Sequence, residues 1–225
     1  MKVLAVDVGG NHVKILAQGA KEPRRFDSGP TLTPEMMVNG VLEQSKGWEY
    51  DAIAIGYPGP VREGKPAIEP HNLGAGWVGF DYAKAFGRPV RVTNDAAMQA
   101  LGSYQGNGRM LFLGLGTGLG SAMVIHGELA PMELAHLPYR KERTYEDYLG
   151  DRGLQRVGLE KWQHHVEAVV ELFRAALEPD DIVLGGGNVH KFETLPARVR
   201  RGDNDNAFTG GFRLWAGEIA SLRSH

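Results

Sequence analysis

Met110-Leu111-Phe112-Leu113-Gly114-Leu115-Gly116-Thr117-Gly118-Leu119-Gly120 is an apolar run that ends in four alternating glycines around one hydroxyl residue. A hairpin turn needs one or two glycines. Four leave a stretch of main chain with no Cβ to hold a ligand away, so its N–H groups can approach phosphate oxygens. The pattern recurs twice. Val3-Leu4-Ala5-Val6-Asp7-Val8-Gly9-Gly10-Asn11-His12-Val13-Lys14 reads as strand, glycine turn and returning strand, and Asp181-Ile182-Val183-Leu184-Gly185-Gly186-Gly187-Asn188 as a third strand and turn. Asp7, at the first strand end, is placed to hold Mg²⁺ or its water shell. Val92-Thr93-Asn94-Asp95 is another strand end bearing a carboxylate. Three glycine loops and two strand-end carboxylates, in this order, point to phosphoryl transfer.

Two familiar nucleotide signatures fail. Gly59 to Pro66 spells most of a Walker A loop, with Gly64-Lys65 in register, but Pro66 stands where a Mg²⁺-binding Ser or Thr is required. Around Gly116, Leu119 occupies the place of the last glycine of the dinucleotide fingerprint.

Working outward, strands are expected at 2–7, 13–17, 24–27, 51–56, 88–92, 110–113, 121–125 and 182–184. A helix opens at Pro34 and buries Met37, Val41 and Leu42; another follows Asn94-Asp95 to about Tyr104. A long amphipathic helix carries Leu159, Trp162, Val166, Val169, Val170, Phe173 and Leu177 and ends at Pro179. The two halves look like a weak duplication, each opening with a glycine hairpin. Gln105-Gly106-Asn107-Gly108 is the best boundary signal, giving lobes over 1–105 and 106–225. Each lobe is expected to hold a mixed sheet flanked by helices in an α/β fold.

The 225 residues are 42% hydrophobic with net charge −2. That is enough chain for two small lobes, and it offers no basic footprint for nucleic acid. There are no cysteines, which excludes disulfides and thiolate metal sites. No run approaches a membrane span or signal core, so no membrane partner and a cytoplasmic protein are expected. The eight histidines show no metal spacing, and His164-His165 are expected on a solvated helix surface. Asp95 can be read as a helix cap or as a base accepting a hydroxyl proton. Because a cap needs only one residue of the Asn94-Asp95 pair, the base reading is favoured.

Together these segments resemble the ROK family of sugar kinases, and within it the polyphosphate/ATP glucokinases. Asp7-x-Gly9-Gly10-x-x-x-Lys14 resembles the first phosphate motif, and Gly116-Thr117-Gly118-Leu119-Gly120-Ser121-Ala122 the second. Tyr57-Pro58-Gly59-Pro60-Val61 and Asn72-Leu73 with Trp77 resemble the sugar-domain segments. Asn94-Asp95-Ala96 resembles the segment of the catalytic aspartate, Glu133-Leu134-Ala135-His136 the Glu-x-Gly-His motif, Gly185-Gly186-Gly187 the adenosine loop, and Gly210-Gly211 a late turn before the last helix. The resemblance implies an actin-like ATPase fold and transfer of a phosphoryl group from ATP or polyphosphate, with Mg²⁺, to the 6-hydroxyl of glucose or a related sugar. It makes Asp95 the catalytic base and gives the sugar to Asn72, Asn94, Asp95, Glu133, His136 and Glu146. The donor falls to Asp7, Gly9, Gly10, Asn11, Lys14, Gly116, Thr117, Gly118, Gly120, Gly186 and Gly187.

The chain departs from the pattern in three places. Asn11 replaces the usual small hydroxyl after the glycine pair, and Ala97 stands where many members have Asp or Asn. The cysteine-bearing zinc module is deleted between His136 and Glu146, so zinc is not expected. These departures keep a catalytically impaired sugar-binding module open. A pantothenate-type kinase shares the Asp-x-Gly-Asn opening but does not resemble Glu133-x-x-His136. A sugar-responsive repressor would need a DNA-binding helix-turn-helix before Asp7, where no room is expected. The donor, the sugar and the oligomeric state, a homodimer included, are not fixed by the sequence.

Overall fold

The computed structural model describes residues 1–216. Among the described residues two units emerge from the packing: residues 1–102 together with 207–216, and residues 103–206.

In the first unit, β1 (Val3–Val8), β2 (His12–Ala17) and β3 (Arg24–Asp27) form an antiparallel meander. β4 (Ala52–Tyr57) pairs parallel to β1. A small ribbon of β5 (Val61–Arg62) and β6 (Lys65–Pro66) follows, then β7 (Val90–Asn94) parallel to β4. The sheet order is β3-β2-β1-β4-β7. β4 is buried at every position, as a central strand covered on both faces must be. Helix α1 (Pro34–Gln44) starts with Pro34 in its first turn and Thr33 capping the Met36 amide at 3.3 Å. Its buried stripe includes Met37, Val38 and Val41, whereas Leu42, expected inside, is exposed. α2 (Tyr82–Phe86) ends at Gly87 in the left-handed region, and α3 (Asp95–Ser103) leaves directly from β7.

The second unit repeats the plan. β8 (Arg109–Leu115), β9 (Leu119–Ile125) and β10 (Glu128–Met132) are antiparallel. After the ribbon β11 (Pro138–Arg140) and β12 (Arg143–Thr144), the helices α4 (Tyr145–Leu149), α5 (Asp151–Val157) and α6 (Leu159–Leu177) lead to β13 (Asp181–Gly185), parallel to β8. β14 (Arg200–Arg201) completes the order β10-β9-β8-β13-β14. The same strand order in both sheets is the structural form of the duplication read from the two glycine hairpins. α6 buries Trp162, Val166, Val169, Val170 and Phe173, and the Trp162 indole donates to Leu149 O at 2.9 Å.

α7 (Asn206–Arg213) marks where the observed division departs from the 1–105 and 106–225 reading: residues 207–216 pack with the first unit. Gly210 and Gly211 allow this. A Cβ on Gly210 would overlap Met98 O, and one on Gly211 would meet the Ala5 Cβ at 2.7 Å. The Trp215 indole donates to Ile53 O at 3.2 Å and Arg213 to Leu101 O at 2.7 Å. Among the described residues, no helix is long and apolar enough to cross a membrane.

Candidate functional site

Three segments converge in the first unit. Asp7 sits near the end of β1, paired across to Lys14 on one side and Gly56 on the other. Burial pushes its carboxyl up to about 6, with Lys14 partly offsetting the shift. The Gly9-Gly10 turn closes with Gly9 N donating to His12 O at 3.0 Å, and the Ser28 hydroxyl braces it by donating to Gly9 O at 2.6 Å. Asn11, at the tip, accepts the Ser28 amide through its main-chain oxygen. Gly10 faces the Asn72 loop, where an added Cβ would stand 3.6 Å from the Asn72 Cβ.

That loop is held by Glu69, which sequence reasoning missed. Its carboxylate accepts the amides of Gly76, Trp77 and Val78 at 3.0, 3.1 and 3.1 Å. Behind it, Trp77 is fully buried against Tyr57, ring centroids 5.7 Å apart. The Tyr57 hydroxyl donates to Ile68 O at 2.8 Å.

At the end of β7 the capping question has an answer. Asn94 accepts the Ala97 amide at 3.1 Å, the spacing of an N-cap, and donates its own amide to Gly59 O at 3.1 Å. Asp95 is half-buried and accepts the Ala96 amide at 2.8 Å. The capping task therefore falls to Asn94, which ties the helix to the Pro58-Gly59 turn. Ala97 is fully buried, so that departure from the family pattern sits in the core of this chain.

The second unit gathers a different set. Its glycine loop, 115–119, joins β8 to β9, with Gly116 N donating to Gly118 O at 3.1 Å. Glu146, in the first turn of α4, accepts the Leu119 amide at 3.2 Å. A Cβ on Gly118 would overlap the Glu146 carboxylate, so a side chain there would displace the end of the glutamate. α4 is fixed by a capping box in which Thr144 and Asp147 exchange hydrogen bonds. Ser121, within the second phosphate-like motif, orients the next segment: it donates to Met132 O at 3.0 Å and accepts the Leu134 amide at 3.1 Å. Glu133 and His136 then lie 3.9 Å apart. Burial pushes the Glu133 carboxyl up, His136 opposes the shift, and Glu146 adds to it. A carboxylate pair and an imidazole thus stand beside the glycine loop, a set able to hold several hydroxyl groups.

The third glycine turn, Gly185–Gly187, follows β13 and packs on the second, since a Cβ on Gly186 would overlap the Leu115 main chain. Of the helix histidines, His164 is exposed, but His165 is not simply solvated as its spacing suggested. It shares a 3.2 Å hydrogen bond with the Tyr139 hydroxyl and packs against Tyr148, centroids 4.7 Å apart. Burial and the neighbouring Arg140, Arg156 and His164 lower its pKa.

The sequence profile described as "ROK family" matches residues 3–131, more than half of the chain. A glucokinase of Pyrobaculum calidifontis is 27% identical over 135 residues, covering 57% of this chain and 45% of its own. A polyphosphate glucokinase of Mycobacterium leprae is 25% identical over 202 residues, covering 81% of this chain and 62% of its own. The alignments thus span from under half to under two thirds of these two relatives. Among solved structures, the inorganic polyphosphate/ATP-glucomannokinase of Arthrobacter sp. strain KM superposes with a TM-score of 0.80 at 23% identity, covering 98% of this chain and 99% of its own. That likeness gives the fold, the actin-like ATPase arrangement of helix-flanked mixed sheets. With its fold and more than half its length matched, this chain belongs to the ROK family.

Proposed function

We propose that this chain is a hexose kinase that transfers a phosphoryl group from ATP or polyphosphate to the 6-hydroxyl of glucose or a related sugar. The observation that carries the reading is Glu146. Its carboxylate touches the second glycine loop through the Leu119 amide, and its charge is felt at Glu133, which pairs with His136. Groups suited to sugar hydroxyls therefore abut main chain suited to phosphate.

In this reading Asn72, Asn94, Glu133, His136 and Glu146 hold the sugar, and paired donors and acceptors select it over molecules with fewer hydroxyls. Asp95 takes the proton of the 6-hydroxyl as its oxygen attacks the terminal phosphorus of the donor. The bond from that phosphorus to the leaving oxygen breaks, giving sugar 6-phosphate and ADP or a shortened polyphosphate. Gly9, Gly10, Asn11, Lys14, Gly116, Thr117, Gly118 and Gly120 receive the donor phosphates, and Gly186 and Gly187 the adenosine. A carboxyl pushed up to about 6 by burial gains from a cation, so Asp7 fits Mg²⁺ held through its water shell. That ion, when bound, neutralises charge on the phosphates.

A coupled assay crossing ATP and polyphosphate with glucose, mannose and N-acetylglucosamine tests the reading. Turnover of at least one hexose with at least one donor is expected. Sugar binding without turnover in every combination would instead favour an impaired binding module.

A further inference from the structure

The second glycine loop is clamped from behind by two residues with no role in the scheme above, Asp151 and Asn188. Asp151 opens α5, and its amide donates to Gly116 O at 3.0 Å and Thr117 O at 3.3 Å. Asn188 follows the third glycine turn and is buried. Its side-chain amide donates to the Asp151 carboxylate at 2.6 Å and to Gly116 O at 3.3 Å. Gly150 closes the same contact, since a Cβ there would stand 2.7 Å from Thr117 O.

Peptide geometry gives this clamp a consequence. In a trans peptide the C=O and the following N–H point in opposite directions. Holding Gly116 O and Thr117 O toward α5 turns the amides of Thr117 and Gly118 away from it. Neither amide has a hydrogen-bond acceptor among the described residues. Fixing two unpaired donors in one orientation before a ligand arrives lowers the ordering cost of binding an anion.

We infer that Asp151 and Asn188 are positioning residues for the phosphoryl donor. Through hydrogen bonds to each other and to the Gly116 and Thr117 carbonyls, they hold the Thr117 and Gly118 amides toward the donor phosphates. The inference rests on the kinase reading and adds a link between the third glycine turn and the second, because Asn188 directly follows one and bonds to the other. Neither residue touches the donor or the sugar in this account, so the effect of altering them falls on donor binding.

The test uses the full chain, with steady-state kinetics on glucose and calorimetric titration of tripolyphosphate and of a non-hydrolysable ATP analogue. Asn188→Ala removes both side-chain hydrogen bonds, and about a tenfold rise in donor KM and Kd is expected, with glucose KM within twofold of the parent. Asn188→Asp, which sets a second carboxylate against Asp151, should be at least as impaired. Asp151→Asn keeps a polar partner for Asn188 and should stay within about threefold of the parent. Should Asn188→Ala lower the melting temperature too far for kinetics, Asp151→Ala serves in its place. It removes the acceptor of the Asn188 amide but keeps the main-chain donor, and a severalfold rise in donor KM is expected. Unchanged donor binding in the alanine variants, or an equal rise in glucose KM, overturns the inference and leaves the kinase reading standing. A parent protein that binds no donor and phosphorylates no hexose overturns both.

Discussion

Replacing Glu69 should loosen the loop that bears Asn72, which the proposed function gives to the sugar. One carboxylate accepts three consecutive amides, those of Gly76, Trp77 and Val78, at 3.0–3.1 Å. A hydrogen bond to a charged group contributes about 1.5–3 kcal/mol when sheltered. Glu69 is exposed, so about 0.5–1 kcal/mol for each bond is the appropriate scale, or roughly 1.5–3 kcal/mol for the set. If the loop bearing Asn72 must be ordered before sugar binds, that loss appears as a competent fraction lowered by about 10- to 100-fold. Glu69→Ala should therefore raise the glucose KM by at least about tenfold, with ATP or polyphosphate KM nearly unchanged. Glu69→Gln keeps a single acceptor oxygen and should fall in between. The assay is initial-rate kinetics with each substrate varied against saturating partner, with Trp77 fluorescence as a monitor of the loop. A glucose KM within twofold of the parent in Glu69→Ala, at unchanged kcat, would refute the reasoning.

Asp95→Asn should keep sugar binding but lower kcat by about 10²-fold or more, the scale of general-base help; calorimetry and kinetics check this, and turnover within a few-fold of the parent counts against it. For Asp7, burial raises the folded-state pKa from 3.8 to about 6. The folded protein then binds the proton more tightly than the unfolded chain, and stability contributed by this group falls as pH rises from about 4 to about 6. In Mg²⁺-free buffer Asp7→Asn should melt higher than the parent above pH 6, by an equivalent of about 1–3 kcal/mol, with the gain gone below pH 4; a gain that does not depend on pH would contradict this. Asp147 has the opposite sign: hydrogen bonding from Thr144 holds its carboxyl below the usual value. Its contribution is present above about pH 4 and lost as pH falls further. Asp147→Ala should cost about 1 kcal/mol at pH 6, and melting curves at pH 6 that match the parent would remove the cap from the account. Gly118→Val should impair both substrates, since its side chain meets Glu146; an effect confined to donor KM would show that the overlap is relieved without moving the glutamate.

The elements visible in the sequence were those with local signals. The glycine hairpins, the apolar strand runs and the α6 stripe each carry a period or a turn that chemistry fixes within a few residues. β10 was hidden because Pro131 interrupts it, which an edge strand tolerates. The packing of α7 was hidden for a different reason: Gly210 and Gly211 matter through contacts with Met98 and Ala5, more than a hundred positions away. The proposed site residues divide in the same way. Asp7, Asp95, Glu133 and His136 stand in short recognisable patterns. Glu69, Asp151 and Asn188 hydrogen-bond to main chain elsewhere, which leaves no mark on spacing. Asn94 shows the limit of reading a pair: the sequence left open which residue caps the helix, and the fold gives the cap to Asn94 with a second bond to Gly59.

The central claim is transfer to a sugar hydroxyl assisted by Asp95, and phosphorus NMR on a single reaction tests it most directly. Purified protein, Mg²⁺, glucose and either ATP or polyphosphate should give a growing glucose 6-phosphate resonance. Asp95→Asn at equal concentration should give the same product at about 1% of the rate or less. Release of inorganic phosphate without any sugar phosphate, or an Asp95→Asn rate equal to the parent, would contradict the account.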